Sequence, residues 1–267
     1  MSERPAYPDG VPGWVDVLSL DPRQTATFYA ELFGWELDDR LESAASGPYY
    51  VARLDDAAVA GIGSAPGPDV PPRWTTYTCV DDVDAATSAA LEAGGRVVSD
   101  RLPSIDGDRR VLLSDPGGAM FGVRQAGRLE GAQRVNEPGA WAMSLLNTDD
   151  IEAAGAFYGA VFGWTTSTFG MGGFELTMFH RPGYVGGEEG QPVPRDVVAA
   201  MGPLPEANAP ARWDIDFWTS DTNATAARAE ELGGAVIAPP TDRPGFRDTV
   251  VADPSGTTIT VSQLLGR

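Results

Sequence analysis

The sequence predicts an α+β protein made of four consecutive β-α-β-β-β modules, which form two tandem halves. The main observation is an internal repeat: the octapeptide "FYAELFGW" at Phe28–Trp35 returns as "FYGAVFGW" at Phe157–Trp164. Two later blocks repeat in the same order, starting at Asp81 and Ser220 and then at Val111 and Val250. A length of 267 residues also suits two domains of about 130 residues each.

The repeat predicts the domain boundaries. The first domain is expected over residues 1–127, a polar, Gly-containing linker over 128–138, and the second domain over 139–267. The second half carries about a dozen extra residues rich in Gly and Pro, so a longer loop is predicted at about 180–211.

Each half begins with a strand and a capped helix. In the first quarter, alternating apolar residues predict a strand over Trp14–Leu20. Asp21 is the predicted N-cap, Pro22 takes the first helical position, and Gly34 ends the helix. Strands are then predicted over 49–54 and 57–62.

The second quarter repeats this order. A strand is predicted over 75–80, a helix from about 82 to 93 that Gly94 and Gly95 close, and a short strand at 97–98. A hairpin with strands over 109–113 and 119–124 follows. Its turn, "SDPGG" at Ser114–Gly118, has strong turn chemistry because Pro fixes one φ and Gly accepts a positive φ.

Composition excludes several function classes. A formal charge of −19 would repel nucleic acid and anionic membranes, so neither is an expected partner. No apolar run approaches the ~20 residues of a membrane span, and the N-terminus lacks an apolar signal core. The single cysteine, Cys79, fits a reducing cytosol, so a cytoplasmic location is expected. All 19 basic residues are arginine, which excludes a Schiff-base or phosphate-loop lysine.

Several motifs together resemble the vicinal oxygen chelate superfamily, which includes glyoxalase I, bleomycin-resistance proteins and extradiol dioxygenases. They are the paired modules, the repeated "FY" to "FGW" segment, "DDVDA" from Asp81, and the "DP.G" turns at Asp115 and Asp253. The motifs occur once in each half, so the resemblance covers nearly the whole chain. It is strongest to actinobacterial tandem glyoxalase-like proteins of the hydroxylase type. It implies two domains with curved mixed sheets, each enclosing a cleft, and a divalent metal bound by His and Glu in metal-dependent members.

The positions where the resemblance implies metal ligands lack those ligands. The first falls on Trp14 and Met143, the second on Thr75 and Asp214, and the third on Gly122 and Thr260. One His and one Cys in the whole chain also exclude a site built from several imidazoles or thiolates. We therefore expect no metal and no other cofactor. The alternative is a hard cation bound by the carboxylates of Asp214 and Asp216.

Period-two alternation assigns the side chains that face each cleft. It predicts an aromatic first cleft and a more polar, acidic second cleft. The candidate catalytic residues are Asp16, Tyr77, Asp214 and Asp216. The candidate ligand-binding residues are Trp14, Thr75, Arg124, Met143, His180, Trp218 and Thr260.

Each candidate also has a structural interpretation. Trp14 fills the vacated metal space as core, and Tyr77 packs beside it. Asp16 pairs with Arg124 or with the backbone, since a buried carboxylate needs a partner. His180 is a solvated loop residue. The remaining residues in question are interpreted as core: Cys79 and the repeated aromatics Phe28, Tyr29, Phe33 and Trp35, with their second-half counterparts.

Three functions are compatible with these residues. The first is a metal-independent small-molecule-binding protein for antibiotic or secondary-metabolite binding or resistance, with an aromatic or polyketide-like ligand. The second is a metal-independent tailoring enzyme of secondary metabolism (an isomerase, cyclase or hydroxylase-like protein, or a lyase), in which an Asp is the base and Tyr77 or His180 assists. The third is a stress protein without a tight ligand. A monomer or homodimer is expected in each case.

Overall fold

The structure, a computed structural model, describes residues 6–40, 47–67, 70–100, 102–171, 174–186, 194–205 and 209–265. The first half contains β1 (Val11–Ser19), α1 (Pro22–Phe33), β2 (Glu36–Asp39), β3 (Tyr49–Leu54), β4 (Ala57–Ser64), β5 (Arg73–Cys79), α2 (Val83–Glu92), β6 (Arg96–Ser99), β7 (Arg109–Ser114) and β8 (Met120–Gln125). The second half contains β9 (Trp141–Asn147), α3 (Ile151–Phe162), β10 (Thr165–Met171), β11 (Phe174–His180), β12 (Val197–Gly202), β13 (Arg212–Trp218), α4 (Thr222–Glu231), β14 (Ala235–Arg243), β15 (Phe246–Ala252) and β16 (Thr258–Leu264). Both halves therefore have the predicted order of two β-α-β-β-β modules.

The first helix of each half begins and ends where the sequence predicts. The Asp21 side chain accepts a hydrogen bond from a first-turn amide at 3.1 Å, and Pro22 is the first residue of α1. Gly34 follows the last turn with a φ of 73°, a left-handed conformation that glycine adopts without steric cost. Asp150 and Gly163 cap α3 in the same way.

Each half forms one eight-stranded mixed sheet. The strand order is β2-β3-β4-β1-β5-β8-β7-β6 in the first half and β10-β11-β12-β9-β13-β16-β15-β14 in the second. Antiparallel pairs β1–β5 and β9–β13 join the two modules of each half, whereas β1–β4 and β5–β8 are parallel. These open, curved sheets confirm the predicted tandem α+β architecture.

The repeated aromatic residues lie between the two halves. Those predicted to form the core are buried or partly buried: Phe28, Tyr29, Phe33 and Trp35. Trp35 donates from Nε1 to the Gly139 carbonyl at 2.7 Å, and Trp164 donates from Nε1 to the Gly10 carbonyl at 2.6 Å. Each repeat therefore bonds to the segment that leads into the other half.

A tyrosine of the repeat also joins one half to a turn of the other. The Tyr158 hydroxyl donates to Asp115 Oδ2 at 3.1 Å and accepts from Trp213 Nε1 at 2.8 Å. Asp115 belongs to the "DPGG" turn of the first half, and its Oδ1 accepts a hydrogen bond at 2.9 Å from the amide of Ala119, which follows the turn. The repeated motifs thus act across the interface between halves, which explains structurally why both copies retain them.

Part of the predicted linker returns to the first half. The Ala132 amide donates to the Gly13 carbonyl at 2.8 Å, and the Gln133 amide donates to the Ala58 carbonyl at 2.7 Å. These bonds attach the linker to β1 and β4. The exact domain boundaries stay a prediction.

The longer loop predicted at about 180–211 contains regular structure. His180 is the last residue of β11, and β12 lies wholly within the predicted loop. The sequence did not predict β12 because its flanks are rich in Gly and Pro, which is typical of a loop. In the structure β12 pairs with β11 and β9 and is an interior strand of the sheet. Residues 187–193 and 206–208 of the segment lie outside the described residues.

Candidate functional site

Strand register brings the predicted cleft residues together. In the first half, Tyr77 of β5 lies between Trp14 of β1 and Gly122 of β8. The corresponding places in the second half are held by Asp216, Met143 and Thr260. Residues in register on neighbouring strands point to the same face of a sheet, so each half has one inward face with the predicted composition.

The first cleft is filled by its own side chains. Trp14 is 1% exposed, and Thr75 and Tyr77 are each 0% exposed. Gly122 makes this possible, because a Cβ at that position would lie 2.2 Å from the Tyr77 ring. The third implied metal-ligand position is therefore covered by a tyrosine ring.

A buried charge network crosses the first cleft. Asp16 Oδ2 accepts hydrogen bonds from Arg110 Nη1 at 2.7 Å and from the Tyr49 hydroxyl at 3.0 Å. Arg124, the predicted partner of Asp16, instead donates from Nε to Asp108 at 2.9 Å. The prediction was wrong because a different arginine reaches Asp16. Arg110, which pairs with Arg124 in register on β7 and β8, is the one that extends to the Asp16 carboxylate. Two carboxylates and two guanidinium groups neutralise one another.

Burial governs the protonation of this network. Removal from water raises the pKa of Asp16 to about 6, against the opposing effects of the Arg110 charge and the Tyr49 hydrogen bond. Burial also raises the pKa of Tyr49 and of Tyr77, so both phenols are neutral at physiological pH. Catalytic roles for Asp16 and Tyr77 stay predictions, and both groups lie out of contact with solvent.

The second cleft is more open. Its inward-facing residues are half-buried: Met143, Asp214, Asp216, Trp218 and Thr260. The alternate residues of β13, which face the helices, are buried. The Trp218 ring lies 6.3 Å from the Phe246 ring, so an aromatic pair and two carboxylates share this concave face.

The two carboxylates of β13 have different partners. Asp214 accepts from Asn147 Nδ2 at 2.7 Å and from Arg212 Nε at 3.1 Å. Burial raises its pKa, and the Arg212 charge opposes that rise. Asp216 accepts from the Ser262 hydroxyl at 2.8 Å. Burial raises the pKa of Asp216 to about 7, with a further contribution from the Asp248 charge.

The residues at the implied metal positions do not fit a divalent ion. In the second half they offer a thioether, a carboxylate and a hydroxyl, from Met143, Asp214 and Thr260, and Arg212 already binds the carboxylate. In the first half they lie in the filled interior. Across the described ranges, no three His, Cys, Asp or Glu side chains are grouped to bind a metal. No chemical step is therefore assigned to a metal ion.

The single imidazole lies in a strand rather than in a solvated loop. His180 Nε2 is 2.7 Å from Ser167 Oγ on β10, and Nδ1 is 3.1 Å from Asp196 Oδ1. Sequence reasoning missed Ser167 and Asp196 because neither belongs to a recognisable motif. In the β10–β11 register, Ser167 pairs with Met178, two residues before His180. Only this register could have indicated that Ser167 and His180 lie on one face and in reach of each other.

Cys79 is buried as predicted, and burial raises its thiol pKa to about 11.

A small groove of about 70 Å³, open to solvent, adjoins the second cleft. Its wall includes the rings of Tyr7, Trp141 and Tyr184, together with Met143 and Val198. Met143 lines both spaces, so the groove extends the apolar end of the second cleft.

Fold and site together define a tandem vicinal oxygen chelate protein in which one cleft is filled and the other is open. The chain belongs to the glyoxalase-like domain family, whose model matches residues 14–124 and 143–262. The chain is 37% identical over 265 residues to "Putative glyoxylase CFP32" of Mycobacterium tuberculosis, covering 98% of this chain and 97% of that protein. It is 32% identical over 274 residues to "Anthracycline biosynthesis protein DnrV" of Streptomyces peucetius, covering 97% and 94%.

A solved structure supports the fold. The Mn(II)-bound glyoxalase from Novosphingobium aromaticivorans superposes with a TM-score of 0.61 at 18% identity, covering 97% of this chain and 83% of that one. At this identity the likeness concerns the fold alone.

Proposed function

We propose that the second cleft binds a small aromatic molecule of the polyketide type, and that it does so without a metal ion. The observation that supports this is the contrast between equivalent positions. Tyr77 is 0% exposed in the first cleft, whereas Asp216, at the same place in the second, is half-buried. Inward-facing side chains that stay partly exposed line a space that a ligand can enter.

The chemistry of the second cleft suits a flat ring system that carries an amine. Trp218 and Phe246 offer ring faces, which stack on flat rings and attract cations. Asp216, whose carboxylate accepts from Ser262, offers its charge to an ammonium group, whereas Arg212 already binds Asp214. The adjoining groove offers further ring contacts from Tyr7, Trp141 and Tyr184.

The relatives support a role in secondary metabolism. Two of them are named anthracycline biosynthesis proteins, and anthracyclines are aromatic polyketides. Sequestration of such a compound, as bleomycin-resistance proteins do with their drug, is the role we propose for this chain.

A titration with daunorubicin, an amine-bearing anthracycline with its own fluorescence, tests this proposal. Trp218→Ala should weaken binding about fivefold, which corresponds to about 1 kcal/mol for one aromatic contact. Tyr77→Phe is the matched control in the first cleft and should leave the affinity unchanged. Absent binding, equal effects of both substitutions, or binding that requires an added divalent metal would each overturn the proposal.

A second candidate is a metal-independent tailoring enzyme, and Asp216 favours it. A pKa of about 7 suits a group that both accepts and donates a proton near neutral pH. Conversion of the bound compound, followed by mass spectrometry, should then cease in Asp216→Asn while the affinity stays measurable. Undiminished conversion in that variant would eliminate the enzyme candidate.

The location, partners and oligomeric state of the protein stay predictions from charge and composition. None of the helices in the described ranges is long and apolar enough to span a membrane. A cytoplasmic location, the absence of nucleic-acid and membrane partners, and a monomeric or homodimeric state are proposed on the earlier grounds. Fractionation and size-exclusion chromatography test them.

A further inference from the structure

Three side chains at the rim of the second sheet form a serine–histidine–aspartate series. Ser167 Oγ lies 2.7 Å from His180 Nε2, and His180 Nδ1 lies 3.1 Å from Asp196 Oδ1. Each imidazole nitrogen therefore faces one oxygen, as a base between a nucleophile and an orienting carboxylate requires. The Nδ1 contact is not aligned as a hydrogen bond, a looseness that is common before substrate binds.

The equivalent place in the first half has different chemistry. There, Asp38 of β2 accepts from Arg53 Nε of β3 at 3.2 Å. Asp38 pairs with Val51 two residues before Arg53, and Ser167 pairs with Met178 two residues before His180. A cross-strand salt bridge in one half thus corresponds to a hydroxyl and an imidazole in the other. Closing the sheet edge does not by itself require a nucleophile and a base.

The series is accessible to a substrate. Ser167 is exposed, and the His180 side chain keeps 15% of its surface open. The serine lies on β10, the edge strand of the second sheet. An edge strand presents amide N–H groups that no neighbouring strand bonds, and such groups can stabilise a developing oxyanion.

We propose that Ser167, His180 and Asp196 hydrolyse small carboxylic esters, an activity separate from ligand binding in the second cleft. Ser167 Oγ attacks the ester carbonyl carbon while His180 Nε2 takes the hydroxyl proton. The C–O bond to the alcohol breaks, and the alcohol leaves with that proton. Water then attacks the acyl-serine, giving the carboxylic acid and restoring the Ser167 hydroxyl. Asp196 orients the imidazole and offsets its transient positive charge.

Covalent labelling tests the nucleophile directly. A fluorophosphonate probe, which reacts with activated serines, should modify the full-length protein at Ser167, as located by peptide mass spectrometry. Ser167→Ala should abolish the label. His180→Gln retains a polar side chain but no base, and should reduce labelling by about 10²-fold or more. Thr168, the next residue on the same strand, is exposed and points to the opposite face; Thr168→Ala is the matched control and should label normally.

Hydrolysis of p-nitrophenyl acetate provides the second readout. Turnover by the natural protein should fall to the uncatalysed rate in Ser167→Ala and should fall at least about tenfold in Asp196→Asn. Thermal unfolding of each variant separates loss of fold from loss of chemistry. Labelling at another residue, labelling that persists in folded His180→Gln, or hydrolysis that survives Ser167→Ala would overturn the proposal. Daunorubicin binding is measured in the same variants, and its failure would leave this result unaffected.

Discussion

Asp16→Asn tests whether burial or ion pairing has the larger effect on the pKa of Asp16 in the filled first cleft. Asp16 is 0% exposed and accepts a hydrogen bond from Arg110 at 2.7 Å. Removal from water favours the neutral carboxyl, whereas the guanidinium favours the carboxylate. A pKa of about 6 instead of 3.8 means that burial prevails. Asp16 Oδ1 has no hydrogen-bond donor within the described ranges, so a neutral amide of the same shape should fit there.

The magnitude follows from the pKa of Asp16. The rise from 3.8 to about 6 corresponds to about 3 kcal/mol, since a pKa unit is about 1.4 kcal/mol. A folded pKa above the unfolded one means that the native state binds more protons, so the free energy of unfolding falls as pH rises from about 4 to above 6. About 1.4 kcal/mol of this fall lies between about pH 5 and pH 7.5, away from the pI of about 4.3.

Urea unfolding followed by tryptophan fluorescence measures this effect. Asp16→Asn should be at least as stable as the natural protein at about pH 7.5. Its advantage should grow by about 1.4 kcal/mol between about pH 5 and that pH. Arg110→Met, the complementary change, leaves the carboxylate without its cation and should cost about 3–5 kcal/mol. If Asp16→Asn loses about 3 kcal/mol and keeps the natural pH slope, ion pairing dominates and the reasoning fails.

Three further changes test the interface, the filled cleft and the open cleft. Tyr158→Phe removes the hydroxyl that joins α3 to Asp115, so it should cost about 1–3 kcal/mol in urea unfolding; an unchanged midpoint would contradict the interface role. Gly122→Ala places a methyl 2.2 Å from the Tyr77 ring and should cost about 1–3 kcal/mol by thermal unfolding; a neutral result would mean that the cleft has spare room. Asp216 has a pKa of about 7 and is ionised above it. Daunorubicin should therefore bind more tightly at about pH 8 than at about pH 6, and Asp216→Asn should lose that difference; equal pH slopes would refute it.

Much of the fold could be predicted because its signals are local. Asp21, Pro22 and Gly34 bound a helix through short-range hydrogen bonds and a left-handed φ, which neighbouring residues decide. The repeated octapeptide revealed the duplication for the same reason. β12 was missed because its pairing with β9 and β11 depends on residues far away in the chain, while its flanks have the composition of a loop.

The candidate site, too, was predictable from the sequence only in part. Alternation along β5 and β13 placed Tyr77 and Asp216 on inward faces, because side chains of a strand alternate with period two. Which inward faces are filled was decided by contacts between strands, such as the ring of Tyr77 over Gly122. The partner of Asp16 likewise depended on which of two arginines could reach it across the sheet.

The sequence alone determined the duplicated modules, the helix caps, the inward-facing residues and the lack of family metal ligands, since all of these depend on residue type and short spacing. Tertiary structure decided the rest. It filled one cleft and left the other open, it bonded each repeat to the opposite half, and it brought Ser167, His180 and Asp196 to one rim. Distances between residues far apart in the chain depend on how strands register and pack, and no local pattern encodes them.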